Sequence, residues 1–234
     1  MLLFLAKVLI AGGFDQHHNA SNTVEIIDLI NPAFRRKWNN ERAARAGPMG
    51  GILQNQPLIF GGHDGNMRNI NNGIILRTNE ELTLIEGRIF ASSIVLNETR
   101  LWVCGGIERH IMNRLNSSEF ISLDQPPEDG PKLPFTVSHH CMVQVDSKSI
   151  YLIGGRQNTR FSESKNTWII DPTNNFAIKK GPKMIYARDE HSCATMRLNN
   201  KTFIVVFGGC YGPDKAKPEI LDTSLPSNDW KRGK

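Results

Sequence analysis

Two short segments bring imidazole and thiol groups together in the sequence. His139, His140 and Cys141 are consecutive, and a single serine separates His191 from Cys193. Imidazole and thiolate groups are ligands for copper and zinc, so both segments are candidates for metal binding. The segments occupy equivalent places in successive repeats of the chain, and alternation along a strand sends neighbouring side chains to opposite faces. We expect them to lie too far apart to share an ion, and we predict no metal and no other cofactor.

Nucleophilic and acid–base chemistry find little support in the sequence. The chain has no G-x-S-x-G motif of the kind that presents a nucleophilic serine. The paired carboxylates Glu80 and Glu81 fall in a polar turn, where solvation explains them. The four cysteines form no C-x-x-C pair. Three of them lie in or beside apolar runs, as small buried side chains do. The sequence does not decide whether any of them form disulfides. We predict that the chain is not an enzyme.

Length and charge narrow the classes of partner. The 234 residues, 39% of them hydrophobic, are enough for one large all-β domain. The formal net charge is +5, but lysine and arginine are scattered and do not cluster with aromatic residues, so we predict no nucleic-acid partner. No segment approaches the ~18 apolar residues that span a bilayer, so we predict no membrane partner.

A glycine pair that follows a short apolar run recurs five times. The pairs begin at Gly12, Gly61, Gly105, Gly154 and Gly208. Each is followed by a polar loop, by a β-rich run that usually ends on aspartate, and often by an aromatic or leucine residue such as Trp38, Leu82, Phe176 or Trp230. A further apolar run then leads to the next pair. Each unit therefore predicts four short strands, and four strands in about 45–50 residues make one blade of a β-propeller.

The paired glycines and the aromatic residues have a structural interpretation. A glycine pair at the end of a strand adopts positive φ and turns the chain sharply without a Cβ clash. Small residues also let neighbouring sheets approach, and the large side chains that follow would fill the space between the sheets. None of the pairs precedes a helix, as a phosphate-binding loop requires. We interpret these motifs as determinants of the fold.

These units resemble the kelch repeat. The resemblance rests on the glycine pair, the polar loop, the strand ending in aspartate, the aromatic residue and an Arg-x-x-His-like entry to the next unit, and its best match is the segment 181–192 with Arg188 and His191. It covers essentially the whole chain, although the third unit lacks the aromatic residue and the second lacks the aspartate. It implies one all-β domain over residues 1–234, a kelch-type β-propeller of about five four-stranded blades at roughly 1–40, 41–84, 85–133, 134–182 and 183–234.

Kelch propellers usually have six blades, and this chain has five glycine pairs. It begins at what reads as the second strand of a blade and stops soon after the last strand of another. We therefore expect incomplete terminal blades and a chain that lacks about one blade. A closed ring of five blades is the alternative.

The resemblance also places two sets of loops on one face of the propeller, one after each glycine pair and one leading into each innermost strand. A rim of arginines there would suit an acidic segment, because guanidinium binds carboxylates bidentately. The candidate partner-binding residues are Arg45, His63, Asp64, Arg68, Arg88, Arg109, Arg156, Arg160 and Arg188, with Val137 at the fourth entry position. The alternative is that Arg45, Arg88 and Arg188 are structural, because residues that recur in every unit are often architectural.

The kelch resemblance implies a non-catalytic protein-interaction module, either a substrate-recognition adaptor of a ubiquitin ligase or an actin-binding, cytoskeletal adaptor. The alternative is a secreted propeller that binds or acts on carbohydrate. Four N-x-S/T sequons, beginning at Asn19, Asn97, Asn116 and Asn200, permit a secreted setting. The apolar start of the chain is broken by Lys7 and reads as a strand, so we expect a cytoplasmic protein.

Overall fold

The computed structural model describes residues 7–28, 30, 31, 33, 35–66, 68–108, 113–158, 162–210, 217–225 and 229–233. Within these ranges one 3₁₀ turn, Glu41–Ala43, accompanies 23 β-strands. No helix in this part of the chain is long and apolar enough to cross a membrane. The all-β prediction is confirmed.

Five antiparallel sheets follow one another around an axis and form a five-bladed β-propeller. The first sheet contains β1 (Lys7–Ala11), β2 (Thr23–Asp28) and β3 (Arg35–Asn39). The second contains β4 (Met49–Leu53), β5 (Gln56–Phe60), β6 (Asn72–Ile75) and β7 (Glu81–Thr83). The third contains β8 (Ser92–Asn97), β9 (Arg100–Cys104), β12 (Ser118–Ile121) and β13 (Glu128–Asp129).

The fourth sheet contains β15 (Cys141–Asp146), β16 (Ser149–Ile153), β18 (Thr167–Asp171) and β19 (Ala177–Lys180). The fifth contains β20 (His191–Leu198), β21 (Lys201–Gly208), β22 (Glu219–Asp222) and β23 (Lys231–Arg232). Two short ribbons join loops at one end of the ring, β10 (Ile107–Glu108) with β11 (Asn113–Arg114) and β14 (Val137–Ser138) with β17 (Arg156–Gln157). The last sheet thus has four strands, which differs from the incomplete blade expected there.

Apolar clusters fill the space between neighbouring sheets. The residues predicted to do this, Trp38, Leu82, Phe176 and Trp230, each belong to a different cluster between two successive sheets. Trp230 is 4% exposed, and its Nε1 donates a hydrogen bond to the carbonyl of Pro182 at 3.0 Å. The hydrophobic stabilisation of this fold therefore lies between the sheets, because a single four-stranded sheet has no core of its own.

The glycine pairs join each sheet to the next. All five pairs have positive φ, for example +63° at Gly61 and +83° at Gly62. In the first four sheets the second glycine N–H donates to the carbonyl of the residue that enters the next sheet, and we call this contact the interblade clasp. Its members are Gly13 to Arg45, Gly62 to Arg88, Gly106 to Val137 and Gly155 to Arg188, at 2.8–2.9 Å.

The first glycine of each pair makes the clasp sterically feasible. A Cβ on Gly12, Gly61, Gly105 or Gly154 would lie within 2.8 Å of the carbonyl oxygen that the second glycine binds. A contact this short between Cβ and a backbone oxygen would push the sheets apart. The fifth pair differs, because a Cβ on Gly208 would meet no atom within 4 Å.

The outer faces of the first and last sheets expose apolar side chains. Val8 and Ile10 of β1 are 39% and 48% exposed, and Met196 of β20 and Phe207 of β21 are 43% and 58% exposed. The corresponding faces of the middle sheets are covered by their neighbours. Among the described residues, these two faces are therefore not covered by an adjoining sheet.

Candidate functional site

One end of the propeller carries both loop sets that the sequence singled out, and we call this end the mouth. The loops after the glycine pairs and the loops that enter the innermost strands meet there, for example where β14 pairs with β17. The hairpins between the first two strands of each four-stranded sheet, such as the turn between Asp146 and Ser149, lie at the opposite end. Strands of five or six residues separate the two ends by about 17–20 Å.

Three of the predicted binding arginines are buried inside the blades. Arg45, Arg88 and Arg188 are 2%, 1% and 0% exposed. Each guanidinium donates to the carbonyl of the first glycine of its own sheet's pair, which is Gly61, Gly105 or Gly208. Their backbone carbonyls are acceptors of the interblade clasp. These three arginines therefore have a structural role inside the blades, which was the alternative to partner binding, and they are not available to a partner at the mouth.

Two of the buried arginines have buried glutamate partners. Arg88 Nε lies 3.0 Å from Glu119 Oε1, and Arg188 Nε lies 3.0 Å from Glu219 Oε1. Both glutamates also accept backbone N–H groups of the entry loop, and Ile85 donates to Glu119 at 2.7 Å. Burial raises the pKa of Glu119, and the charge of Arg88 opposes that rise. Each pair is a structural ion pair that fixes the path of the entry loop.

The remaining predicted residues are distributed differently. His63 is 2% exposed and lies against the ring of Phe14 with a centroid separation of 5.5 Å, so it belongs to the interior and not to the rim. Asp64 is half-buried and its Oδ1 accepts the amide of Arg68, whose side chain is exposed. Two further candidates, Arg109 and Arg160, lie outside the described residues.

Arg156 lies at the mouth beside a second arginine. Its Nε donates to Asp189 Oδ2 at 2.6 Å, and Asp189 is fully buried. Arg114 donates to Ser138 Oγ at 3.2 Å and to the carbonyl of Asn158 at 2.6 Å. Burial and the nearby charge of Arg156 lower the pKa of Arg114. The structure thus brings two half-buried guanidiniums together on the paired strands of the mouth.

The structure also reveals a row of residues that the sequence did not indicate. Gly47, Phe90, His139 and Glu190 each lie two positions after the entry residue of their sheet and have φ between +52° and +61°. The rings of Phe90 and His139 stack at 4.1 Å, and His139 Nε2 lies 3.6 Å from Glu190 Oε1. A Cβ on Gly47 would contact the Phe90 ring. These four residues form a row across four sheets, and the recurrence of positive φ identifies it as a feature of the repeat.

A thiol lies beside the mouth, near Glu190 and Asp189. The nearest thiol, Cys210, has its pKa raised by burial and by the charges of Glu190 and Asp189, which disfavours the reactive thiolate. No group of three or more histidine, cysteine, aspartate or glutamate side chains in the described part of the chain is arranged to hold a metal ion.

The two histidine–cysteine segments are closer together than expected. Cys141 and Cys193 form a disulfide between the innermost strands of the fourth and fifth sheets, with their Cα atoms 6.0 Å apart. The expectation that these segments lie far apart is therefore wrong. Innermost strands converge near the axis, so nearly equivalent positions of adjacent blades come within bonding distance.

Comparison with known proteins shows that this chain resembles them in fold alone. No protein-family model matches it, and no curated protein matches its sequence. Its fold is similar to a solved structure titled "Structure of YjhT". The TM-score is 0.70, the sequence identity is 10%, and the match covers 96% of this chain and 81% of that one. At this identity the likeness shows the propeller fold alone.

A groove opens in the fourth sheet where its neighbours hold an ion pair. In the third and fifth sheets glutamate follows the entry arginine by 31 residues. In the fourth sheet the equivalent residues are Val137 and Trp168, both apolar. The cavity there has a volume of about 840 Å³ and is lined by Trp168, Phe135, Gln157 and Thr167, among others. The rings of Phe135 and Trp168 stack at 4.6 Å.

Polar atoms of this groove are buried without partners. Gln157 Nε2, Thr167 Oγ1 and Trp168 Nε1 have no hydrogen-bond partner among the described residues. In the third sheet the guanidinium of Arg88 occupies the corresponding space and bonds the carbonyl of Ser117. Two N–H donors and a hydroxyl of residues that line the groove thus lie just beneath its surface, where leaving them unsatisfied costs free energy.

The buried ion pairs predict a large effect of removing one partner. Replacing Arg188 by methionine leaves the Glu219 carboxylate buried without its counter-ion and should reduce the free energy of unfolding by about 3–5 kcal/mol. Urea denaturation measures this. Combining R188M with E219Q should recover part of the loss, and R197M, at an exposed position of β20, should change little. Equal effects of R188M and R197M would contradict the structural role.

The buried histidines predict acid sensitivity. Burial lowers the pKa of His139 to about 4, of His140 to about 3 and of His191 to about 4. Unfolded chains bind protons near pH 6.5, so between pH 6.5 and 4 the unfolded state holds more protons and stability falls as the pH falls. At pH 5 each residue should reduce the free energy of unfolding by about 2 kcal/mol relative to pH 7. Urea titrations at pH 7, 6 and 5 test this, and H191Q should flatten the pH dependence; an unchanged slope would contradict it.

Proposed function

We propose that this protein is a kelch-type propeller that acts as a non-catalytic interaction module and binds an acidic segment of a partner protein at its mouth. Such a module serves as a substrate-recognition or cytoskeletal adaptor. The proposal is supported by the propeller fold, which presents loops on a rigid scaffold, and by the chemistry of the mouth. Arg45, His63, Arg88 and Arg188 are not part of the proposed contact surface, because they are buried.

The observation that carries the proposal is the proximity of the two positively charged side chains of Arg114 and Arg156 at the mouth. Both residues lie on short paired strands, so their guanidiniums are held in place and little side-chain entropy is lost on binding. Guanidinium groups bind carboxylates with two parallel hydrogen bonds. The exposed Arg68 lies on a loop at the same end of the ring and adds positive charge there.

Arg114 is a sharper test position than Arg156. Loss of the Arg156 guanidinium would leave the fully buried Asp189 without its ion pair, so a change in binding could follow from a change in folding. Arg114 donates to a neutral hydroxyl and to a backbone carbonyl. Methionine keeps most of the aliphatic stem and removes the charge.

Fluorescence anisotropy with a labelled oligoglutamate peptide tests the proposal. Wild-type protein should bind the peptide with an affinity that falls as salt is added, and R114M should weaken binding about tenfold. R197M is the matched control, because it removes one exposed arginine near the opposite end of β20. No binding by the wild type, or equal binding by R114M and R197M, would contradict an acidic ligand at the mouth.

A second candidate function is carbohydrate binding in the groove of the fourth sheet. Stacked aromatic rings and unsatisfied polar atoms suit a hydroxylated ligand, and the lining lysines Lys165, Lys180 and Lys183 favour one that also carries a carboxylate. The Cys141–Cys193 disulfide favours the secreted setting that this function implies, since disulfides persist in oxidising compartments.

Titration calorimetry with glucuronic acid and with glucose tests this candidate. The acid should bind and glucose should bind more weakly, because only the acid engages the lysines. W168F keeps an aromatic ring beside Phe135 and removes the Nε1 donor together with part of the ring surface, so it should reduce binding several-fold without unfolding the protein. No heat with either sugar, or unchanged binding by W168F, would count against the groove as a sugar site.

A further inference from the structure

Three side chains with soft donor atoms meet between the third and fourth sheets. Cys104 ends β9, His140 immediately precedes β15, and Met142 lies within β15. Cys104 Sγ lies 3.7 Å from His140 Nε2 and 3.5 Å from Met142 Sδ. The three residues are 0%, 6% and 5% exposed. None of the three residues is among those that line the groove.

Strand alternation explains why these residues converge. Residues two apart on a strand point to the same face, so His140 and Met142 both point toward the third sheet, where Cys104 lies. Cys141, between them, points the other way and forms the disulfide with Cys193 of the fifth sheet. One short segment thus contributes to two different contacts.

Cys104 and Met142 do not recur in the repeat, whereas His140 stands at the histidine position of the Arg-x-x-His-like entry. The equivalents of Cys104 in the other sheets are Ala11, Phe60, Ile153 and Phe207. The equivalents of His140 are Pro48, Ala91 and His191, and those of Met142 are Gly50, Ser93 and Cys193. His140 Nδ1 is buried without a hydrogen-bond partner among the described residues, as are both ring nitrogens of His191 at the equivalent position. Packing alone would be served by aliphatic side chains.

Thiolate, thioether and imidazole together match the preferences of Cu(I). Soft sulfur ligands select Cu(I), and imidazole accepts it as well. Metal–sulfur and metal–nitrogen bonds of about 2.3 and 2.0 Å place the donor atoms of a three-coordinate ion roughly 3.7 Å apart. The two measured separations from Cys104 Sγ are close to this value.

Charge favours Cu(I) over divalent ions at this position. Binding exchanges the thiol proton for the metal: the S–H bond breaks, an S–Cu bond forms and the proton passes to solvent, with no change in oxidation state. The thiolate and Cu(I) charges then cancel. Zn²⁺ would leave a net positive charge in an apolar cluster that includes Trp102 and Leu133, and it would lack a fourth ligand.

We propose that Cys104, His140 and Met142 form a Cu(I)-binding site between the third and fourth sheets of the propeller. The site is closed to solvent, so it holds copper as a structural or storage ion and not as an open catalytic centre. This proposal does not depend on the proposed function of the mouth.

Anaerobic competition with the Cu(I) chelator bicinchoninate tests the site, after incubation of the native protein with Cu(I) or refolding in its presence. Wild type should retain one Cu(I) per chain and unfold at a higher temperature with copper than without it. C104S should lose retention. M142L conserves the side-chain volume and should fold normally while its Cu(I) affinity falls about 10–100-fold. C210S, which removes the other thiol outside the disulfide, should behave as wild type.

X-ray absorption of the loaded protein should show sulfur and nitrogen ligands on copper. Failure of wild type to retain Cu(I) by either route, equal retention by wild type and M142L, or loss of retention in C210S would each overturn the proposal. If C104S does not fold, the comparison of M142L with C210S decides the question, because both substitutions spare the fold.

Discussion

The hydrogen bond from the second glycine of each pair to the carbonyl that enters the next sheet is the contact on which this propeller depends. It recurs at four junctions at nearly constant length. It requires glycine twice, since the second residue needs positive φ and the first must have no Cβ where the neighbouring carbonyl approaches. Because the cores lie between sheets, a change in the spacing of the sheets would open every core at once.

The buried arginines connect each interblade clasp to the interior of the following sheet. The carbonyl of Arg88 accepts from the preceding sheet, and its guanidinium donates to the glycine pair of its own sheet and to Glu119. The fourth sheet shows the consequence of omitting this arrangement. Val137 keeps the backbone acceptor but provides no guanidinium, and a groove remains beside Trp168. The fourth sheet thus keeps the clasp and has a cavity of about 840 Å³ beside Trp168.

Much of the fold could be predicted from the sequence, because glycine pairs and interblade aromatics report directly on backbone geometry and packing. The site could be predicted less well. The recurrence of Arg88 and Arg188 in the repeat indicated a shared role, but it did not show whether their side chains face solvent or the interior. Both side chains are held in the interior by glutamates 31 residues later in the sequence, Glu119 and Glu219. The sequence separation of 31 residues could have indicated these ion pairs, because the fourth sheet lacks both charges at the same separation, with Val137 and Trp168 in their place. The proximity of Cys141 to Cys193 could not be predicted, because it depends on how innermost strands converge across blades.

Amide hydrogen exchange measured by NMR tests the role of the glycine pairs most directly. If the clasp joins the sheets, the amides of Gly13, Gly62, Gly106 and Gly155 will be strongly protected and will exchange together in the global unfolding reaction. The amide of Gly209, for which the described residues provide no such acceptor, will exchange faster. Unprotected amides at the first four positions, or protection at Gly209 equal to theirs, would contradict the account.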